Sequence, residues 1–257
     1  ALVSDIGNDK NGQDCLSELS KNKVSTKYIS THRNMETNYH YVLWYENERT
    51  ILVNHKEYPY SLPKIKTPKW VYLSSLASNS FDYHLEIIAF LKAHPETKLA
   101  FQPGTFQMKL GKEKLAELYT LSEVFVCNVE ESQRILGSGE TNIKNLLTAV
   151  RALGPKIVLI TDGPKGAYMD DGTAQYFMPI YPDPKPPFER TGCGDAFAST
   201  FVTALSLGKT PLEALMWAPI NPMSVVQYVG AQKGLLDRPS LEKLLATAPA
   251  DYKPNTI

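Results

Sequence analysis

The sequence predicts an α/β fold organised on a mostly parallel sheet covered on both faces. Three observations carry that expectation. Apolar runs of strand length recur at Trp70–Leu73, Lys98–Gln102, Glu123–Asn128 and Lys156–Thr161. Segments of helical spacing lie between them, at Asp82–Ala93, Lys112–Leu121, Glu130–Leu136 and Asn142–Leu153. The 257 residues are 43% hydrophobic and 21% charged, enough to bury a sizeable core. Near-continuous apolar strands alternating with helices are the pattern of a sheet buried on both sides.

Taken in order, Leu2–Ile6 reads as a short strand and Gly7–Gly12 as a turn-rich loop. Gln13–Asn22 reads as a helix with Cys15, Leu16 and Leu19 on one face, which makes Cys15 a packed core residue. The aromatic and β-branched run Tyr39–Tyr45, the polar turn Glu46–Arg49 and the run Thr50–Val53 form a β-hairpin pattern. Two readings of it stay open: a lid over a pocket, with Tyr41, Trp44 and Arg49 as candidates to face it, or an edge hairpin packed on the main body. Pro59, Pro63 and Pro68 make the next stretch extended. After Thr161, the turn Asp162–Gly166 leads into a hairpin of Ala167–Met169 and Ala174–Phe177. Helices are expected near Asp195–Leu207, Pro211–Tyr228 and Ser240–Ala248.

Bulk properties narrow the partners. Lys+Arg and Asp+Glu both number 27, so the neutral chain points to a small-molecule ligand and to no nucleic acid. Three dispersed cysteines fit a reducing, cytoplasmic setting and no disulfide framework. No apolar run approaches the ~20 residues of a membrane helix. His32, His40 and His55 lack metal-ligand spacing. The chain opens without Met directly in a strand-like run, as a processed chain or a fragment would.

In open α/β sheets a ligand sits beyond the carboxyl ends of the strands. That rule selects Asn128, Thr161–Gly166 and Thr191–Asp195. The last stretch sets Gly192 and Gly194 at the start of a helix, with Asp195 inside its first turn. Glycine turns and a helix start expose amide N–H groups and a partial positive charge, a cradle for an anion. An ordinary N-cap explains the same string, and both readings stand at this point.

These three loops, in this order, resemble the PfkB (ribokinase-like) family of carbohydrate and nucleoside kinases. Thr191-Gly192-Cys193-Gly194-Asp195-Ala196-Phe197 is similar to its TGAGDAF signature, Asn128-Val129-Glu130-Glu131 to its N-x-x-E motif, and Thr161–Gly166 to its T-x-G-x-x-G nucleotide loop. Pro103-Gly104 resembles its NPG-type turn, with Gln102 where Asn is common. Asn221 stands like the Asn of its adenine-side A-N-A segment. The resemblance runs from Ala1 to about Leu245; the family's first strand and its sugar-binding glycine pair would lie upstream of Ala1.

The resemblance implies one ribokinase-like three-layer α/β/α sandwich over residues 1–257, with residues 36–62 contributing a small β lid. It implies an ATP-dependent kinase that phosphorylates a hydroxyl of a sugar or nucleoside. The alternative is a nucleotide-binding pseudokinase or regulatory subunit lacking a complete acceptor site. Asp195 would be the general base, and the amides of Gly192, Cys193 and Gly194 an anion hole. Asn128, Thr161, Gly163, Gly166 and Asn221 would bind the nucleotide, and Glu131 would act on Mg²⁺. Two readings remain for several of these. Glu131 also suits a helix-dipole acid, Cys193 a redox-sensitive thiol, Asn221 a cap at Pro219 or Pro222, and Lys165 either a phosphate contact or a solvated lysine. Glu189 leaves room for a monovalent cation, and the hairpin for a homodimer through the lid.

Overall fold

The computed structural model describes residues 1–45 and 48–257, with the backbone alone for residues 44, 45, 48 and 49. The expected turn at Glu46–Asn47 and the side chains of Trp44 and Arg49 lie outside the described residues. Two compact units divide the chain: residues 1–67 with 77–90, and residues 68–76 with 91–257.

In the first unit, β1 (Val3–Gly7) and β2 (Tyr28–His32) pair in parallel through the crossover helix α1 (Lys10–Lys21). Asp9 caps α1: one oxygen accepts the Gly12 N–H at 2.9 Å and the Thr37 hydroxyl at 2.6 Å, so the helix starts ahead of the expected Gln13. Cys15 is exposed, which corrects the expectation of a core residue. The inward stripe of α1 is Gly12, Leu16 and Leu19, and Cys15 falls at its edge. β3 (Tyr39–Tyr45) and β4 (Glu48–Asn54) form the expected hairpin. Both of its faces carry exposed apolar residues among those described, Tyr41 by 62% on one and Val53 by 53% on the other. Residues 81–90 of α2 (Phe81–Ala93) complete this unit.

The second unit holds a seven-stranded sheet. β5 (Trp70–Leu73), β6 (Lys98–Phe101), β7 (Ser122–Asn128) and β8 (Ile157–Thr161) run parallel. β9 (Ala167–Asp170), β10 (Gln175–Met178) and β11 (Asn255–Thr256) continue it antiparallel, in the order β11-β10-β9-β8-β7-β6-β5. The connections carry α3 (Thr105–Leu110), α4 (Ala116–Leu121), α5 (Val129–Leu136) and α6 (Ile143–Arg151). The C-terminal part supplies α7 (Cys193–Ser206), α8 (Pro211–Trp217), α9 (Ile220–Val225) and α10 (Arg238–Ala246).

Strand alternation sorts the core into two layers. Val124, Val126, Ile157 and Leu159 join Ala198 and Phe201 of α7, Trp217 of α8 and Ile220 of α9. Their neighbours Phe101 and Phe125 face the other way and form an aromatic trio with Tyr119 of α4, ring centroids 5.2–5.7 Å apart. The mostly parallel sheet between helical layers is the fold class expected from the sequence.

Local departures have local causes. The expected helix Lys112–Leu121 is regular only from Ala116. The span Pro211–Tyr228 breaks into α8 and α9 around Pro219, whose ring removes a backbone donor. β2, α3 and β11 were not expected. No described helix is long and apolar enough to cross a membrane.

Leu159, on a central strand, is fully buried. Leu159→Ala should lower unfolding free energy by about 2–5 kcal/mol in urea denaturation. A loss below about 1 kcal/mol would contradict this packing.

Candidate active site

Two strand ends and one helix start build the site, all in the second unit. β7 and β8 are in register to their last residues, with Asn128 opposite Thr161. Each then turns directly into a loop or helix.

After β7, Asn128 caps α5 by accepting the Glu131 N–H at 2.8 Å, and Glu131 Oε2 accepts the Asn128 N–H at 2.9 Å. This reciprocal capping box makes Asn-x-x-Glu a helix start in its own right. It occupies one carboxylate oxygen of Glu131 and leaves Oε1 without a partner among the described residues. Burial raises the Glu131 pKa against the pull of the Asn128 amide, and the Asp195 carboxylate adds to the rise.

After β8, the loop closes on itself as one 3₁₀ turn, Gly163–Lys165. The Asp162 amide donates to the Gly166 carbonyl at 2.9 Å. Gly166 has φ +106°, and a Cβ there would overlap the Met178 carbonyl, so only glycine fits. Lys165 is paired with Asp162 at 3.3 Å, and its side chain is 74% exposed.

The third part is α7. Its N-cap, Gly192, is left-handed at φ +81°, and no side chain caps the first turn. A Cβ on Gly192 would lie 2.5 Å from the Ala231 Cβ. The glycine cap places no side-chain oxygen of its own over the helix start, while Phe197, Ala198 and Phe201 bury the next turns. The Cys193 amide turns back to the Arg190 carbonyl at a long 3.4 Å. Burial pushes the Cys193 thiol up to about 11, outweighing the nearby Arg190 charge. A raised pKa keeps the thiol in its protonated form near neutral pH, which favours a steric role over a redox one. Glu189 Oε2 accepts the Gly230 N–H at 2.7 Å.

The β8 loop and the α7 start face one cleft with about 510 Å³ of empty space opening to solvent. Thr161, Gly163 and Gly166 line one side, and Cys193, Gly194 and Phe197 another. Pro179, Ile180, Pro219 and Pro222 supply an apolar wall that the sequence reading missed. Asn128, Glu131, Gly192 and Asp195 are not part of that lining, and neither is Asn221. It is 8% exposed, donates from Nδ2 to the Thr200 hydroxyl at 2.7 Å, and accepts the Leu236 N–H on Oδ1 at 2.8 Å. It ties α9 to α7 instead.

An uncapped helix start beside a glycine loop suits polyphosphate, and an apolar wall suits a nucleobase. Among the described residues no three His, Cys, Asp or Glu side chains cluster as a metal cage. Glu131, with one carboxylate oxygen committed to the capping box and the other open, suits Mg²⁺, which keeps several waters and takes phosphate oxygens.

The chain belongs to the pfkB family of carbohydrate kinases, whose family model matches residues 1–238. A ribokinase from Bacillus subtilis (strain 168) is 25% identical over 254 residues, covering 95% of this chain and 81% of that protein. Among solved structures, an E. coli protein described as ribokinase II, in complex with ATP and Mg²⁺, superposes with TM-score 0.78 at 17% identity, covering 95% of this chain and 82% of that one. A Burkholderia thailandensis nucleoside kinase in complex with inosine gives TM-score 0.79 at 16% identity, covering 98% and 82%. Both share the fold described above.

Asn221→Leu should cost about 1–3 kcal/mol of stability, because the Leu236 amide loses its buried acceptor. Nucleotide affinity should change only a few-fold. Unchanged thermal stability with a large loss of affinity would contradict the placement of Asn221.

Proposed function

We propose that this protein is an ATP-dependent kinase that transfers the γ-phosphate to a hydroxyl of a sugar or nucleoside, with Asp195 as general base. One observation carries the reading: the glycine loop after β8 and the uncapped start of α7 converge on one cleft, with Asp195 in the first turn of that helix.

Transfer of this kind depends on positioning and charge stabilisation. The acceptor oxygen bonds to the γ-phosphorus as the bond from phosphorus to the β–γ bridging oxygen breaks. That electron pair leaves with ADP. The acceptor proton passes to an Asp195 oxygen. The amides of Gly192, Cys193 and Gly194 serve as the anion hole, set by the left-handed turn at Gly192. Asn128, Thr161, Gly163 and Gly166 border the phosphates. Glu131 is the residue that would hold Mg²⁺, whose contribution when bound is to neutralise phosphate charge. Asn221 enters only through the apolar wall it anchors. The β3–β4 hairpin, within residues 36–62, is assigned as lid and as homodimer contact; its exposed apolar faces support the second role.

The test is transfer from ATP with Mg²⁺ to a panel of ribose, fructose, cytidine and inosine. Asp195→Asn should lower kcat roughly 10²–10⁴-fold while nucleotide Kd stays within a few-fold. An unchanged rate would refute Asp195 as base. Tight ATP binding by the wild type without transfer to any acceptor would favour the regulatory-subunit reading.

A further inference from the structure

The Asp195 carboxylate is already engaged. Its Oδ1 accepts a hydrogen bond from Gln102 Nε2 at 3.0 Å. The other end of the same amide, Gln102 Oε1, accepts the Tyr72 hydroxyl. Like Asp195, Tyr72 and Gln102 lie outside the lining of the cleft.

Strand geometry explains why these three meet. Tyr72 is two residues after Trp70 on β5, and Trp70 packs against the core layer that contains α7. Gln102 is two residues after Ala100, which belongs to that same layer. Period-two alternation therefore sends Tyr72 and Gln102 to the α7 face. The Gln102 amide donates to the Leu73 carbonyl at 2.9 Å, so the ladder continues one step past β6 and fixes where the side chain leaves the backbone. Pro103 then ends the strand. The chain runs on to Gly104, the N-cap of α3.

The chemistry of the pair is directional. A glutamine amide has one donor end and one acceptor end. A tyrosine hydroxyl at the acceptor end fixes which way the amide faces, and so points the donor end at Asp195. The phenol is held protonated: desolvation, and then the Asp195 charge, raise its pKa well above the usual value. It therefore stays a donor throughout the working pH range.

We propose that Tyr72 and Gln102 are a positioning pair that occupies Oδ1 of Asp195 and leaves Oδ2 as the oxygen presented to the acceptor hydroxyl. This rests on Asp195 being the general base. Free rotation of a carboxylate in the first turn of a helix would spread its lone pairs over several directions. Tethering one oxygen selects one direction, which matters to a step controlled by orientation. Asp195 is itself exposed, so water competes for the Gln102 bond and the bond adds little to folding stability. A positioning role and a structural role consequently predict different readouts.

Two measurements on the full chain test this. In ¹⁵N-labelled, ligand-free protein, the Gln102 side-chain amide should show one proton shifted downfield, the shift being lost in Tyr72→Phe. In the transfer assay with ATP, Gln102→Met should lower kcat about tenfold or more, the scale of one hydrogen bond to a charged group, with KM for ATP within about twofold and Tm unchanged. Tyr72→Phe should lower kcat less, and the double variant should be no slower than Gln102→Met alone, because Tyr72 acts only through Gln102. A Gln102 amide with both protons at ordinary shifts in the wild type overturns the proposal, as do wild-type kcat in Gln102→Met or additive losses in the double variant. Asp195→Asn separates the two claims. If it keeps the wild-type rate, the base assignment fails, and positioning fails with it. If it is inactive while Gln102→Met is normal, positioning alone fails.

Discussion

The site depends on the left-handed turn at Gly192. Its φ of +81° lets the chain reverse into α7, and contact with Ala231 leaves no room for a side chain. Because the cap is a glycine, no side-chain oxygen covers the first turn. The helix start is left as a region of positive potential with Asp195 inside it. A serine or aspartate cap would make a better isolated helix and a poorer anion site. Tertiary packing supplies the stability that the missing cap forgoes: Ala198, Phe201 and Ala204 of α7 are fully buried.

The parallel ladder sets the other side. Because β7 and β8 stay in register to Asn128 and Thr161, two loops leave the sheet at the same level. Each loop is closed by its own hydrogen bonds, through the Asn128–Glu131 box and the Asp162–Gly166 bond. The site is thus assembled from local motifs whose positions come from strand register. The same register carries Tyr72 and Gln102 toward α7.

That division explains what could be read in the sequence. The four parallel strands were legible because they are short apolar runs between helical segments. Asn128–Glu131, Thr161–Gly166 and Gly192–Asp195 were legible because each is contiguous and its glycines or caps follow local rules. The Tyr72–Gln102–Asp195 chain was not, since its members lie 30 and 93 residues apart and meet only through sheet register. The ties of Asn221 to Thr200 and Leu236 were hidden for a related reason: which way a helical side chain faces depends on what the helix packs against, and α9 packs on α7. β11 is two residues long and exists only against the β10 edge, so no periodicity announces it. Pro219 did mark the break between α8 and α9, and its ring explains it after the fact.

The central claim is that the ends of β7 and β8 and the start of α7 form one triphosphate site. Hydrogen–deuterium exchange with and without a non-hydrolysable ATP analogue and Mg²⁺ tests it without requiring an acceptor. The account predicts new amide protection at 161–166 and 192–195, with a smaller effect at 128–131. Protection confined to other segments, or none at saturating analogue, would contradict it.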